Sequence, residues 1–292
     1  MDNHYQKLVL NELMRLSRKG WKDWEDINLV KTSPNVQQSV VSFPSDWYDP
    51  QAVRAETSDF WVQARAEKIL RILRNNGIKV MWEVGAGDGN VAILLRKAGI
   101  AVIAIEPLRN GAQSLANHGV MAYLGTLEDL AFPDASIEVI GIFDVLEHLE
   151  QPQLVMSEVR RVLKPGGLLI TTVPAHQFLF SDFDLSIGHF RRYSRKSLEK
   201  LLMENGFSSN KIQFMFLGLV LPAFILRTLP YKLGRKKKFE SQVKAKMGQD
   251  KIPRLLQIVL KKIFIFEGKL PLPFGLSLIS SSYKSCTRKE PN

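Results

Sequence analysis

The chain contains a single cysteine, Cys286, among 292 residues. One thiol excludes an intramolecular disulfide and leaves a thiolate metal cluster unsupported, so the sequence reads as that of an intracellular, cytoplasmic protein. No uninterrupted apolar segment opens the chain: Met1 to Leu16 mixes His4, Lys7, Glu12 and Arg15 with apolar residues, unlike a secretion signal. The apolar stretch Ile212 to Leu229 is broken by Gln213, Gly218, Pro222 and Arg227, which makes it a poor spanning helix. Internal repeats and long low-complexity linkers are also missing. Acidic residues are scarce towards the C-terminus. Residues 191–292 hold 22 Lys/Arg and 6 Asp/Glu (+16), whereas residues 1–190 hold 18 and 23 (−5). A basic segment on a mildly acidic one implies an anionic partner, such as a lipid surface, a phosphorylated substrate or nucleic acid, or else a solvated lysine-rich surface. No aromatic-basic signature or known module accompanies the charge, so nucleic acid is the weakest of these.

What is present is a globular composition, 45% hydrophobic, sufficient for a buried core. Residues 1–59 form an N-terminal extension, polar and irregular over its first fifty residues, with Pro34, Pro44 and Pro50 punctuating a run that holds Trp21, Trp24 and Trp47. Apolar residues at helical spacing then predict an amphipathic helix over Phe60–Leu73. From Lys79 onward, β-prone runs alternate with helical stretches, the signature of parallel strands joined by crossover helices. The expected strands are Lys79–Val84, Ala101–Ile105, Val120–Leu124, Glu138–Ile142, Leu168–Val173 and Lys211–Phe216. The expected helices are Asn90–Lys97, Arg109–Asn117, Leu154–Leu163 and Ser194–Asn205. Lys164-Pro165-Gly166-Gly167 supplies a stop and turn. The fold class is α/β, doubly wound and mostly parallel.

The most informative segment is Glu83-Val84-Gly85-Ala86-Gly87-Asp88-Gly89, which falls where the first strand of this pattern gives way to a helix. Glycines there permit a tight turn and close approach of the backbone to a ligand, and helix-start amides favour an anionic group. A dinucleotide loop wants a third glycine where this chain has Asn90, which weakens a nicotinamide oxidoreductase reading. The next strand ends at Ile105-Glu106-Pro107. An acidic residue at that tip can accept hydrogen bonds from ribose hydroxyls.

The Glu-x-Gly-x-Gly-x-Gly loop, Glu106, Leu146-Glu147-His148 and Arg161-Val162-Leu163-Lys164-Pro165-Gly166-Gly167 together resemble the class I S-adenosylmethionine-dependent methyltransferases, and within them the branch of quinone-biosynthesis and other small-molecule enzymes. The resemblance covers about Phe60 to Gly206. It implies a seven-stranded Rossmann-like sheet with the last, antiparallel strand near Ser277–Tyr283, a domain over 60–292, and a basic apolar helical insertion at about 218–275. It also implies S-adenosylmethionine as cofactor. Glu83 and Gly85, Ala86, Gly87 and Gly89 would surround its methionine portion, and Glu106 with Pro107 its ribose. Thr126 and Leu127, placed where the family usually has an acidic residue, would face its adenine. Phe143 and Arg65 complete the cofactor set, with Trp61 as a possible pocket closure.

Asp144, Glu147 and His148 stand at i, i+3 and i+4. If a helix starts there, they share a face and can handle a proton or bind a metal, as a comparable run does in some quinone-biosynthesis and small-RNA methyltransferases, with His189 as a fourth ligand. The alternative is a capping box, Asp144 at the N-cap and Glu147 three positions later; no metal is assigned. The run Asp184-Leu185-Ser186-Ile187-Gly188-His189-Phe190-Arg191-Arg192-Tyr193 follows the fifth strand of this pattern and would cover the pocket mouth. His148, His189 and Tyr193 are the candidate catalytic residues, since histidine can accept a proton near neutral pH and arginine or tyrosine can bind an anionic or hydroxylated acceptor. A loop tied down by an Asp184–arginine pair is the competing reading. Methyl transfer itself asks mainly for alignment with an electrophilic methyl, plus a base when the acceptor is a hydroxyl.

The apolar-basic segments beyond Ile212, with Lys232, Arg235-Lys236-Lys237-Lys238, Lys261 and Lys262, fit helices that lie on an anionic membrane or cover a lipid-like acceptor, or that simply cap the sheet. The sequence therefore predicts methyl transfer to a small, lipid-like or amphipathic acceptor at oxygen. A nicotinamide oxidoreductase and a non-catalytic membrane-associated module are the alternatives.

Overall fold

The computed structural model describes residues 3–19, 30–32, 59–235 and 253–285. Trp21, Trp24, Trp47, the three prolines of the extension, Lys236 to Lys238 and Cys286 lie outside these residues.

The alternating pattern folds into one mixed sheet. Its strands are β1 (Val30–Thr32), β2 (Val80–Val84), β3 (Ala101–Glu106), β4 (Met121–Leu124), β5 (Ile137–Phe143), β6 (Leu163–Pro174), β7 (Phe207–Met215) and β8 (Ser277–Lys284). They lie in the order β1-β4-β3-β2-β5-β6-β8-β7. Strands β1 to β6 pair in parallel, and β8 runs antiparallel between β6 and β7. All seven expected strands are present, and the short β1 adds an eighth at the edge beside β4. The central strand β3, Ala-Val-Ile-Ala-Ile-Glu, is buried throughout, as a parallel strand covered on both faces must be.

Helices α1 (Asn3–Ser17), α2 (Phe60–Asn75), α3 (Asn90–Lys97), α4 (Arg109–Asn117), α5 (Pro152–Val162), α6 (Asp182–Ser186) and α7 (Arg195–Glu204) follow in chain order. A helical run α8 over 220–232, π-helical at Phe224–Thr228, and α9 (Arg254–Glu267) lie between β7 and β8. One face of the sheet packs Trp82, Ile103 and Ile140 against α1, α5 and α7. The other packs Met81, Val102 and Ile170 against α2, α3, α4 and α9.

The start of the chain departs from the expected irregular extension. α1 buries Tyr5, Val9, Leu13 and Leu16, a spacing of four, four and three that sets one helical face on the sheet. The Tyr5 hydroxyl donates to the Val102 carbonyl at 2.8 Å and accepts from the Met121 amide at 2.9 Å, tying the helix to strand β3 and to the first residue of β4. Polar residues such as Lys7 and Glu12, interleaved with the apolar stripe, disguise it in a linear reading. A smaller departure is that β6 starts at Leu163. Ile137 pairs with Leu163 but Val139 with Leu168, so the Lys164–Gly167 turn survives as a bulge, with Gly166 at φ 72°.

Candidate active site

Because β2 to β6 are parallel, their C-terminal ends share one edge, the position where open α/β sheets bind ligands. The glycine loop leaves β2 there. Gly85, Gly87 and Gly89 all hold positive φ, at 69°, 57° and 86°, conformations that glycine adopts without the Cβ penalty. Gly89 opens α3, and the Gly85 amide donates to Ile105 O at 2.8 Å, fixing the loop to β3. Ala86 is buried beside it.

Glu106, at the tip of β3, grips this loop. Its carboxylate accepts from the Gly87 amide at 2.7 Å and the Leu108 amide at 2.9 Å, across Pro107. Burial pushes its pKa up to about 7, against the pull of those two amides. Glu83, 2% exposed, has an Oε2 with no hydrogen-bond partner, and burial, then the neighbouring Glu106, pushes its pKa up to about 8. The unpaired buried carboxylate oxygen and the positive-φ backbone fit S-adenosylmethionine, whose ammonium and ribose hydroxyls are the donors that such acceptors lack. After β4, Thr126 Oγ1 donates to Asp129 at 2.9 Å and the Asp129 amide approaches it at 3.3 Å. The Thr126 hydroxyl is thus engaged locally, and Leu127 is buried.

At the end of β5, Phe143 is 7% exposed and Asp144 takes φ 53°. No α-helix begins there, so neither the shared helical face nor the capping box forms; a 3₁₀ turn over Leu146–His148 follows instead. Asp144 Oδ1 accepts from Thr172 Oγ1 at 2.9 Å, and its other oxygen pairs with Arg65. Arg65 lies 4.9 Å from the Trp61 ring centre. The aromatic-arginine helix α2 is thereby anchored at the ligand edge through Asp144.

The 3₁₀ turn and the loop after β6 meet. Glu147 is fully buried, with neither carboxylate oxygen hydrogen-bonded; burial, then Asp144, drives its pKa well above that of an ordinary glutamate. His148 and His189 are edge-to-face at 4.6 Å. Burial and then His189 depress the His148 pKa to about 3, so its imidazole is neutral and weakly basic. One atom each from Glu147, His148 and His189 lies within 4.8 Å of the others, a set that could hold a divalent cation. His189 Nδ1 is 2.9 Å from Asp184 Oδ1, and its Nε2 points to Glu147 at 3.8 Å. Asp184 also takes both Arg192 Nε at 2.7 Å and Nη2 at 3.1 Å. Burial raises the Asp184 pKa, but the bonds from His189 and Arg192 outweigh it and hold the carboxyl below its usual range. The arginine tie is therefore real, and the same carboxylate orients the histidine. Tyr193 is buried and its hydroxyl donates to Leu146 O at 3.1 Å; burial, then Glu147, raises its pKa, so it braces the 3₁₀ turn as a neutral phenol.

The predicted residues thus fall into two neighbouring groups along one edge. Glu83, the glycine loop and Glu106 form one; His148, His189 and Tyr193 form the other, and Arg65 with Asp144 lies at the intervening strand. Gly111 was missed by sequence reasoning. A Cβ on it would lie 2.8 Å from Gly87 O and 2.9 Å from Glu106 Cγ, so α4 reaches the loop only because this residue is glycine. A lone glycine inside an otherwise helical stretch was the available signal. His176, just after β6, holds φ 63°, and its ring stacks on Phe274 at 3.8 Å and on Phe214 at 5.2 Å.

Residues 60–210, more than half of the chain, match the family model described as "Methyltransferase domain". The chain belongs to this methyltransferase family, in the class I S-adenosylmethionine-dependent fold, and S-adenosylmethionine is its cofactor. It is 28% identical over 169 residues to a "probable S-adenosylmethionine-dependent methyltransferase" of Mycolicibacterium smegmatis, covering 55% of this chain and 64% of that protein. A Mycobacterium tuberculosis protein bearing the same description is 27% identical over 157 residues, covering 52% and 57%. The matches therefore span about six tenths of those relatives' length. A chain in the complex between the Haloferax volcanii Trm112 methyltransferase activator and a methyltransferase superposes with a TM-score of 0.55 at 15% identity, over 86% of this chain and all of that one. That likeness shows the shared fold. Family membership sets the nicotinamide oxidoreductase alternative aside.

Proposed function

We propose that the protein transfers the methyl group of S-adenosylmethionine to an oxygen of a small, lipid-like or amphipathic acceptor. The observation that carries this reading is the Asp184–His189 pair, a buried carboxylate bonded to Nδ1 of a histidine at the ligand edge. By accepting a hydrogen bond from Nδ1–H, Asp184 favours the tautomer in which Nε2 carries the lone pair, and stabilises the imidazolium formed when Nε2 takes a proton. S-adenosylmethionine, when bound, supplies an electrophilic methyl on a sulfonium. His189 would take the acceptor's hydroxyl proton as that oxygen receives the methyl group, the S–CH3 bond breaking and S-adenosylhomocysteine leaving as a neutral thioether, and Asp184 holds the ring in line. Glu83 and Glu106 bind the cofactor's donors. Phe178, 45% exposed in the loop after β6, lies 5.4 Å from the His176 ring and 6.1 Å from the Phe274 ring and offers with them an apolar face to the acceptor. An amphipathic molecule that places its hydroxyl near His189 and its apolar body on these rings matches that surface.

The experiment is incubation of the purified full chain with methyl-labelled S-adenosylmethionine and cell extract, followed by partition between organic and aqueous phases. Label in the organic phase as a methyl ether, absent with His189→Ala, supports the reading. Label on nitrogen or on protein rejects the acceptor assignment, and cofactor binding without transfer to any fraction favours a non-catalytic module.

A further inference from the structure

Helices α8 and α9 leave large aliphatic residues in solvent. In α8 and the turn before it, Leu217, Leu221, Ile225, Leu229 and Leu233 recur at strict four-residue intervals and are 39–67% exposed. On a helix that interval draws a single ridge. In α9, Leu255, Leu256, Val259, Ile263 and Phe266 are 46–77% exposed, while Phe264 turns inward to stack on Phe60 at 5.4 Å. The C-terminal end of α9 is tied to α2 and to the turn before α8. Its C-terminal carbonyl at Gly268 accepts from Lys68 and from Arg71, the latter at 3.3 Å, and Glu267 accepts from the Leu217 and Gly218 amides at 3.1 and 3.3 Å.

Charge identifies the occupant. Over 217–235 the ionisable side chains that carry charge are Arg227, Lys232 and Arg235, with no acid; over 253–270 they are Arg254, Lys261, Lys262, Lys269 and one acid, Glu267. That acid is bonded to backbone amides. Among the described residues no helix is long and apolar enough to cross a membrane. Apolar ridges with basic residues beside them suit the plane of an anionic bilayer, where aliphatic burial and lysine attraction act together. Contiguous exposed apolar surface rimmed by polar residues marks an interaction site.

We propose that the α8 and α9 ridges dock the protein on an anionic lipid bilayer. The docked surface adjoins the catalytic edge: Thr228 donates to the Leu179 carbonyl at 3.0 Å, and Arg227 lies 4.0 Å over Phe183, so α8 roofs the loop that carries His189. The docking stands on the exposed ridges and their charge alone, and does not depend on which acceptor is methylated.

The test is cosedimentation of the full chain with phosphatidylcholine vesicles and with phosphatidylcholine–phosphatidylglycerol vesicles, at low and high salt. The protein pellets with the anionic vesicles and is released by salt. Lys261→Gln with Lys262→Gln lowers partitioning about fivefold per lysine. Leu221→Gln with Ile225→Gln lowers it independently of salt, and both double variants keep wild-type affinity for S-adenosylhomocysteine, which reports folding and an intact methyltransferase site. No pelleting of the folded wild type with anionic vesicles overturns the proposal. So does pelleting that neither double variant reduces. A dimer in solution that the leucine–isoleucine variant dissociates, without vesicle binding, assigns the ridges to a second copy and overturns it equally.

Discussion

Asp184 Oδ1 lies 2.9 Å from His189 Nδ1 while the same carboxylate clamps Arg192. One buried group therefore both ties the loop after β6 in place and sets the histidine's tautomer. His189→Ala removes the proposed base and should lower methyl transfer about 10²- to 10⁴-fold, the range for general-base catalysis, with S-adenosylhomocysteine affinity unchanged. Asp184→Asn keeps the shape but not the charge, and should lower turnover rather than cofactor binding. Single-turnover transfer rates together with calorimetry check both. Loss of cofactor affinity in His189→Ala would contradict the division of the site into two groups.

Glu106 and Gly111 meet at the glycine loop. Glu106→Ala removes the charged acceptor of the Gly87 and Leu108 amides and the proposed acceptor of the ribose hydroxyls, and should weaken S-adenosylhomocysteine binding about 10- to 150-fold, equivalent to roughly 1.5 to 3 kcal/mol. Gly111→Ala should weaken it as well, because the new Cβ must displace Gly87 O or Glu106. Titration calorimetry on folded variants decides. Unchanged affinity in Glu106→Ala would reject its assignment to the ribose.

The two buried glutamates give stability a pH dependence of definite sign. Both folded pKa values are raised, to about 8 for Glu83 and about 7 for Glu106, from 4.5. Their contribution to the ligand-free protein is fully present below about pH 4.5 and is lost as pH rises through about 7 and then 8. The melting temperature of the ligand-free protein should fall over that interval, and Glu83→Gln should flatten the fall. Each kcal/mol of the difference moves the midpoint by about 2–4 °C. An equally steep decline in Glu83→Gln, followed by thermal denaturation across pH, would contradict this account.

Much of the sheet and half of the site were legible in the residues because each was written locally. Strands β2 to β5 announce themselves as short apolar runs, the loop at Gly85 to Gly89 sits at a strand–helix junction, and Glu106 ends the next strand. The rest depends on contacts far apart in sequence. That Asp144 would pair with Arg65 and Thr172 rather than cap a helix follows from the positive φ that ends β5, which no side-chain pattern encodes. The sequence offers His189 as a ligand beside Glu147 and His148, but that His189 also meets the Asp184 carboxylate depends on the course of the loop after β6. The closeness of α4 to the glycine loop depends on one missing Cβ at Gly111. α1 was hidden for a different reason: its four buried residues are spread over a segment otherwise polar, and a helix with a narrow apolar stripe looks irregular when read residue by residue.

Since α1 packs into the core, the beginning of the chain should matter for stability. Leu13→Ala leaves a cavity at a fully buried position and should cost about 2–5 kcal/mol. Tyr5→Phe strips the partner from the Met121 amide and should cost about 1–3 kcal/mol. Denaturant melts of the two variants measure both losses. Wild-type stability in Leu13→Ala would place α1 outside the folded core.

Binding of S-adenosylmethionine at this edge through Glu83, the glycine loop and Glu106 is the proposal on which the reading of the site rests. Its most direct test is isothermal titration of the full chain with S-adenosylhomocysteine and, separately, with NAD, in two buffers of different ionisation enthalpy near pH 7. Saturable one-to-one binding of S-adenosylhomocysteine is expected, with proton release as the buried carboxylates ionise against the ligand's donors, and no binding of NAD. Tight binding of NAD with none of S-adenosylhomocysteine would contradict it.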